Sequence, residues 1–405
     1  MKISKLPQLV AKHARGALVE QLYLRTGIDA TRPTVVYGIV NERCNYRCRY
    51  CEYWRMKQYG DEMTVEQWTD ALGSLKEFIG TYHVEFSGGE PFRKKGFVDI
   101  LRFCHDRRIR WGVTTNGSAF SEKIVRLTVA ADPFNVNISI DGHRPEIHDY
   151  MRGVPGSLER IVGGIERLRR ERSEQGRDFP IIIKPTVHSQ NFRELPELVR
   201  WAQKLGVTAI NFQPVDRWTP ETYDELWIER EQHGELQKIV AELIAMKRQG
   251  ANILNSEMVM DLWPHHFREE QAPAEALPCR VGLRNYFIRP NGDVELCWFF
   301  PPIGNVKSQS ARSIWRGQLA RERRKETVEC TRLCLFTCLS QKTLWDKARM
   351  ALTLLKGDRK AAPLEVAEPA PEESSNNDDE HGGCGGCVPP VQLDPPTDNS
   401  LPILS

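Results

Sequence analysis

The chain has 405 residues and a formal net charge of +2, long enough to bury a large core and hold two or three domains. No stretch is apolar for long enough to cross a bilayer, and the N-terminus lacks a signal peptide's apolar run and cleavage site. Eleven cysteines in such a chain read as metal ligands in a reducing, cytoplasmic setting rather than as disulfides. The charge is uneven: residues 361–405 carry nine acids and no Lys or Arg, which leaves the preceding residues at +11. A basic body attracts anionic partners, but no recognised module or stacking-aromatic motif accompanies it, so nucleic-acid binding is not expected.

Taken in order, residues 6–26 read as a helix with Pro7 near its start, Gly27 past its end, and Leu6, Leu9, Val10, Leu18 and Leu22 on one face. Lys2, Lys5, Lys12, Arg15 and Arg25 stand against a single acid, Glu20. The segment 1–30 therefore suits either closure of the core or peripheral contact with a membrane. From about 31 to 220, β-branched runs alternate with helical stretches, the pattern of βα units on a parallel sheet. The predicted strands are 35–40, 83–87, 111–115, 135–140, 181–187 and 208–213. Thr64 with Gln67 forms a capping box, and a helix over 192–205 ends at Gly206, with Asn191 as its N-cap. Cys104 reads as a core residue of another helix.

Strand one runs into Cys44, Cys48 and Cys51, separated by three and then two residues, with Tyr50 just before the last. Three thiolates on a four-iron four-sulfur cluster leave one iron open for chemistry. A structural zinc knot would need a fourth ligand close by, and His13 and His83 are distant in sequence. The spacing resembles the signature of the radical S-adenosylmethionine (radical SAM) superfamily.

In such α/β folds the ends of the strands carry the active site. Strand two ends in Gly88, Gly89 and Glu90, which resembles the superfamily's motif for the amino group of S-adenosylmethionine. Strand three ends in Thr115 and Asn116, polar groups for a ribose or carboxylate. Strand four ends in Ser139 and Asp141, with Arg152 beyond. The resemblance makes these cofactor contacts, with Ser139 and Arg152 on the methionine carboxylate, where a guanidinium grips bidentately. Lys184, Thr186, Asn211, Gln213 and Pro214 end strands five and six, and Asp216, Arg217 and Trp218 are candidate substrate contacts.

Residues 221–278 form a helical connector in which adjacent His265 and His266 point apart and read as packing or solvated side chains. In 279–340 the cysteines return: Cys279, Cys297, Cys330, Cys334 and Cys338. Asn291-Gly292 predicts a type I′ hairpin turn. The layout, with Ile314-Trp315-Arg316, resembles the SPASM/twitch auxiliary-cluster domain of radical SAM enzymes, though five cysteines are fewer than a two-cluster domain uses. One cluster on Cys279, Cys297 and Cys338, completed by Cys334 or Cys330, is expected; a four-thiolate zinc site fits the same residues. A second basic helix is predicted in 341–360. The Pro- and acid-rich tail 361–405 reads as disordered, and its His381, Cys384 and Cys387 as a metal, electron or sulfur carrier or an incidental pair.

The expected fold is α/β: a partial (β/α)6 TIM-type barrel with a small C-terminal cysteine-rich hairpin and helix domain and a disordered tail. The resemblance implies reductive cleavage of S-adenosylmethionine to a 5′-deoxyadenosyl radical, hydrogen abstraction from substrate, and a flavodoxin or ferredoxin as electron donor. A peptide or protein is the first-choice substrate, with a small natural-product metabolite, a lipid or polyprenyl, and a non-catalytic iron-sulfur scaffold as alternatives.

Overall fold

The computed structural model describes residues 6–55, 61–217, 224–271 and 279–336, with side chains from residue 16 onward. The β-branched runs become β1 (Val35–Ile39), β2 (His83–Ser87), β3 (Arg110–Thr115), β4 (Asn135–Ile138), β5 (Ile181–Ile183), β6 (Thr186–Val187), β7 (Ala209–Ile210) and β8 (Gln213–Pro214). A hairpin follows later in the chain, made of β9 (Asn285–Ile288), β10 (Asp293–Glu295) and β11 (Gly304–Asn305). Nine of these form one sheet in the order β11-β10-β9-β1-β2-β3-β4-β5-β7.

Strands five and six of the prediction each break in two, and β6 pairs with β8 in a separate ribbon. The break coincides with Pro185, whose nitrogen has no hydrogen to give to a ladder. The cysteine-region hairpin joins the core sheet, because β9 runs parallel to β1 with Tyr37 opposite Phe287. Its turn is not type I′. Pro290 fixes a negative φ at the first corner, and Asn291 is not among the residues of positive φ. Gly292 alone takes the left-handed conformation, at φ 91°, after a turn closed by Gly292 N donating to Arg289 O, the three-residue form of hairpin loop.

Alternation separates the two faces of the sheet. Val36, Val84, Phe86, Val113, Val136 and Ile138 point to the outer face and pack with the helices, including Leu72 and Leu75 of Val65–Ile79, Ile100 and Leu101 of Phe97–Asp106 and Ile161 and Ile165 of Ser157–Glu174. The Thr64 capping box is present, and Cys104 lies buried in that core. The opposite, inner face carries Tyr37, Glu85, Thr114, Asn137 and Ile182.

The N-terminal helix, Leu6–Thr26, is turned the other way from its leucine pattern. Glu20, its single acid, is buried and holds Arg284 through two contacts of 2.6 Å, whereas Leu18 is 72% exposed. A charge needs its partner more than one leucine needs cover. Among the described residues no helix is long and apolar enough to cross a membrane. The predicted helix in 341–360, the tail with His381, Cys384 and Cys387, and also Cys338 and Trp218, lie outside the described residues.

Candidate active site

β1 leads at Val40 into the cysteine loop, and the turn after β2 clamps it. Gly89 N donates to Asn41 O at 3.0 Å and Glu90 N to Arg43 O at 2.8 Å; Asn41 Nδ2 returns a bond to Glu90 O at 2.9 Å. Glycine is required here. A Cβ on Gly88, at φ +135°, would lie 2.4 Å from Asn41 O, and one on Gly89 2.3 Å from Arg43 O. Glu90 completes the clamp from beneath. Its side chain is 0% exposed and accepts from Thr115 Oγ1 and Asn116 N, both at 2.8 Å, and from Phe92 N at 3.2 Å. Burial outweighs these bonds and lifts its carboxyl to about 7. The sequence predicts Glu90 and Thr115 as cofactor contacts; the structure turns both side chains inward, onto each other.

Donors converge on the loop's sulfurs. Cys44 Sγ accepts from Tyr46 N at 3.4 Å and Asn116 Nδ2 at 3.8 Å, and Cys48 Sγ from Arg152 Nη1 at 3.7 Å. Burial, reinforced by the neighbouring thiols, pushes Cys44 up to about 11 and Cys51 to about 12. Such thiols become ligands by giving up protons to a metal. Among the described residues no three His, Cys, Asp or Glu side chains close on one point as the ligands of a single ion would. Three neighbouring thiols with N–H groups aimed at their sulfurs fit a multi-iron cluster.

Arg152 reaches Cys48 from a buried ion pair. Its Nη2 donates to Asp141 Oδ1 at 3.0 Å, and Nε lies 3.0 Å from Oδ2. Asp141 also accepts from Tyr50 OH at 2.8 Å and Thr186 N at 2.9 Å. Asp141 therefore faces protein, with no exposed surface, and braces the loop through Tyr50 and Arg152. Asn191 stands at the N-cap position of the turn that opens the helix predicted over 192–205, but its side chain makes no cap bond: its Nδ2 donates to Asp141 O and Thr186 O, both at 2.8 Å, and its Oδ1 accepts from His188 N at 2.9 Å. Burial pushes the nearby His148 and His188 down to about 4, so they stand neutral beside the pair. Ser139 is half-buried, its N donating to Thr115 O at 3.0 Å.

The inner face holds what the sequence reading missed. Glu85 accepts from Asn137 Nδ2 at 2.5 Å, Asn135 Nδ2 at 3.1 Å and Thr114 Oγ1 at 3.2 Å, and lies 3.2 Å from His83 Nε2. Gly112 makes room, since a Cβ there would sit 2.3 Å from Glu85 Oε2. Polar residues at alternate positions of β2 and β4, in strands that otherwise run apolar, were the available signal. Asp216 and Arg217, predicted to touch substrate, are engaged within the protein: Asp216 by Arg332 at 2.9 Å, Arg217 by Glu269 at 3.0 Å. His265 pairs with Glu270, and buried His266 with Val215 O.

On the β9 side the inner face turns aromatic. Tyr37 stacks on Phe287 with ring centres 4.6 Å apart, and Phe287 meets Trp298 at 4.8 Å. Cys297, Cys279 and Cys334 pack in this same cluster. Burial raises Cys279 and takes Cys334 to about 12; the Cys279 thiol lies within electrostatic reach of Cys330, and that of Cys334 within reach of Cys297 and Cys279.

Comparison with known proteins identifies two domains in the chain. The profile of the Radical SAM superfamily matches residues 39–202, and that of an iron-sulfur cluster-binding domain, SPASM, matches residues 279–339. The chain is 27% identical to the AdoMet-dependent heme synthase of Methanosarcina barkeri over 70% of this chain and 82% of that one. It is 25% identical to the PqqA peptide cyclase of Rhizobium meliloti over 83% and 88%. Streptococcus suis SuiB bound to S-adenosylmethionine shares the fold, with a TM-score of 0.57 and 16% identity over 73% of this chain and 68% of that one; the same enzyme is known bound to its precursor peptide SuiA. A 4Fe–4S cluster, S-adenosylmethionine and auxiliary iron-sulfur chemistry come with these two domains. The chain is an enzyme of the radical SAM superfamily with a C-terminal SPASM domain.

Proposed function

We propose that the chain modifies a peptide or protein by hydrogen abstraction, with the open cluster on Cys44, Cys48 and Cys51 and an auxiliary cluster on Cys279, Cys297 and Cys338, completed by Cys334 or Cys330. When bound, the cluster would supply the electron for reductive cleavage of S-adenosylmethionine, the source of the hydrogen-abstracting radical. The chain's own residues position and support. The backbone of Gly88 and Gly89, with Asn116, Ser139 and Arg152, borders the loop and would receive the amino-acid end of the cofactor. Glu90, Thr115 and Asp141 hold those residues from behind. A small iron-sulfur or flavin protein, ferredoxin or flavodoxin, is the fitting electron donor.

The observation that carries the peptide reading is the inner-face belt. Glu85 takes N–H groups from Asn135 and Asn137, which leaves carboxamide oxygens to meet further donors such as the amides of a peptide. The names of the PqqA peptide cyclase and of SuiB with its precursor peptide support the same class. A small planar metabolite is the second reading, favoured by the Tyr37, Phe287 and Trp298 wall and the heme synthase relative.

The test is 5′-deoxyadenosine release by the anaerobically reconstituted, reduced enzyme, supplied separately with peptide, polar-metabolite and lipid fractions. Stimulation by the peptide fraction alone is expected. Stimulation by the metabolite or lipid fraction alone overturns the peptide reading.

A further inference from the structure

Arg152 is the one cluster-side donor described above that brings a full charge. Tyr46 N and Asn116 Nδ2 offer neutral N–H groups to Cys44, whereas Arg152 Nη1 offers part of a cation to Cys48 Sγ. Its side chain and that of Asp141 are 6% and 0% exposed, so neither charge is screened as a surface charge would be. The two charges are not equivalent with respect to the loop. The guanidinium bonds both the carboxylate and the sulfur, whereas Asp141 meets the loop through Tyr50 OH and not through a thiol. Thr186 N fixes the carboxylate from a third direction. The pair is thus an oriented dipole with its positive end on a thiol of the loop.

We infer that Arg152 and Asp141 together set the reduction potential of the open cluster, with Arg152 stabilising the reduced form and Asp141 limiting that effect. The inference rests on the assignment of that cluster to Cys44, Cys48 and Cys51. Reduction adds one negative charge to the cluster, and a cation in hydrogen-bond contact with a ligand sulfur favours the reduced state. Asp141 acts in the opposite sense and holds the guanidinium in place. Arg152 is a positioning and tuning residue in this role, and nothing in it prevents its remaining N–H groups from meeting a carboxylate.

Opposite signs make the inference testable. The reconstituted full chain is titrated potentiometrically without S-adenosylmethionine and followed by electron paramagnetic resonance. The open cluster is identified in parallel samples as the signal that added S-adenosylmethionine perturbs. Arg152→Gln should move its midpoint to more negative potential, and Asp141→Asn to more positive potential. Arg152→Lys, which keeps the charge, should lie nearer the wild type than Arg152→Gln. Tyr50→Phe, which removes a bond and no charge, should move it least.

Shifts of one sign in both Arg152→Gln and Asp141→Asn, or no shift in either, overturn the inference, since a purely structural pair would give one of these. Should Arg152→Gln fail to load iron, Asp141→Asn and Arg152→Lys decide by the same criteria. A wild-type chain with bound iron but no signal sensitive to S-adenosylmethionine would instead remove the cluster assignment, and the inference with it.

Discussion

The two cysteine sets are joined through a single strand, β1, yet they are held by different physics. Beyond its end, Cys44, Cys48 and Cys51 hang in a mesh of buried polar bonds that comes from the ends of β2, β3 and β4, through Glu90, Asn116, Asp141 and Arg152. On its inner side, Cys279, Cys297 and Cys334 pack among Phe287, Trp298 and Phe336, with Tyr37 of β1 in the same cluster. A polar mesh fixes hydrogen-bond donors and charge around a reacting centre. An apolar nest gives its thiols packing rather than polar bonds, with charge acting on them from Arg284 and Arg332 at its edge. The first arrangement suits a site that must bind and cleave a charged cofactor, and the second suits one that only passes electrons.

The largest expected effect tests that division directly. Cys48→Ala should abolish 5′-deoxyadenosine formation, whereas Cys297→Ala should retain it and lose the substrate-derived product. Each should lower the iron content by roughly four atoms per chain, measured by iron analysis beside product assays. Product formation that survives Cys297→Ala would show that the auxiliary set takes no part in turnover.

The same contrast explains what the sequence made legible. Cys44, Cys48 and Cys51 announce themselves by spacing, and the parallel sheet by the alternation of apolar runs and helices. The roles of Glu90 and Asp141 were hidden, because a carboxylate next to glycines looks the same whether it faces a ligand or the protein. Only the folded chain brings Thr115 and Asn116 to Glu90, and Tyr50, Arg152 and Thr186 to Asp141. The hairpin was legible as a hairpin, but its attachment to β1 was not, since pairing across some 250 residues leaves no local pattern. The burial of Glu20 was hidden for a related reason: its partner Arg284 lies in the other cysteine region.

Next in size are changes to the clamp. Gly88→Ala places a Cβ against Asn41 O in a backbone conformation that L side chains rarely adopt, at a cost of about 1–3 kcal/mol. It should lower the melting temperature and the iron held by the first set, and leave the second set loaded. Equal loss from both sets would mean that the clamp supports the whole fold.

Proton linkage gives a second view of the same clamp. Burial raises the Glu90 carboxyl from 4.5 to about 7, so its contribution to stability is fully present below about pH 4.5 and is lost as pH rises through 7. The change is on the order of 3 kcal/mol. Glu295, also raised to about 7 by burial, adds in the same direction. Melts of the iron-free chain should therefore show falling stability from pH 5 to pH 8, and Glu90→Gln should flatten that slope even though it is less stable at pH 5. An unchanged slope in Glu90→Gln would assign the titration elsewhere.

The smallest effect belongs to the tether of the second region. Arg332 Nη2 donates to Asp216 Oδ1 at 2.9 Å, and its guanidinium lies 4.1 Å from the ring centre of Phe299. The link fastens the segment between Cys330 and Cys334 to the chain just beyond β8. With 42% of the Arg332 side chain exposed but only 7% of Asp216, the pair is half screened and contributes about 1 kcal/mol. Arg332→Ala should accordingly shift the melting temperature by no more than about 3 °C. High salt should shrink the difference between wild type and Arg332→Ala, because the exposed guanidinium is screened within a Debye length. The Arg152–Asp141 pair is buried and should not respond to salt in the same range. An effect of Arg332→Ala that is the same at low and high salt would show that the pair is not screened and end the distinction between a buried mesh and a half-exposed tether.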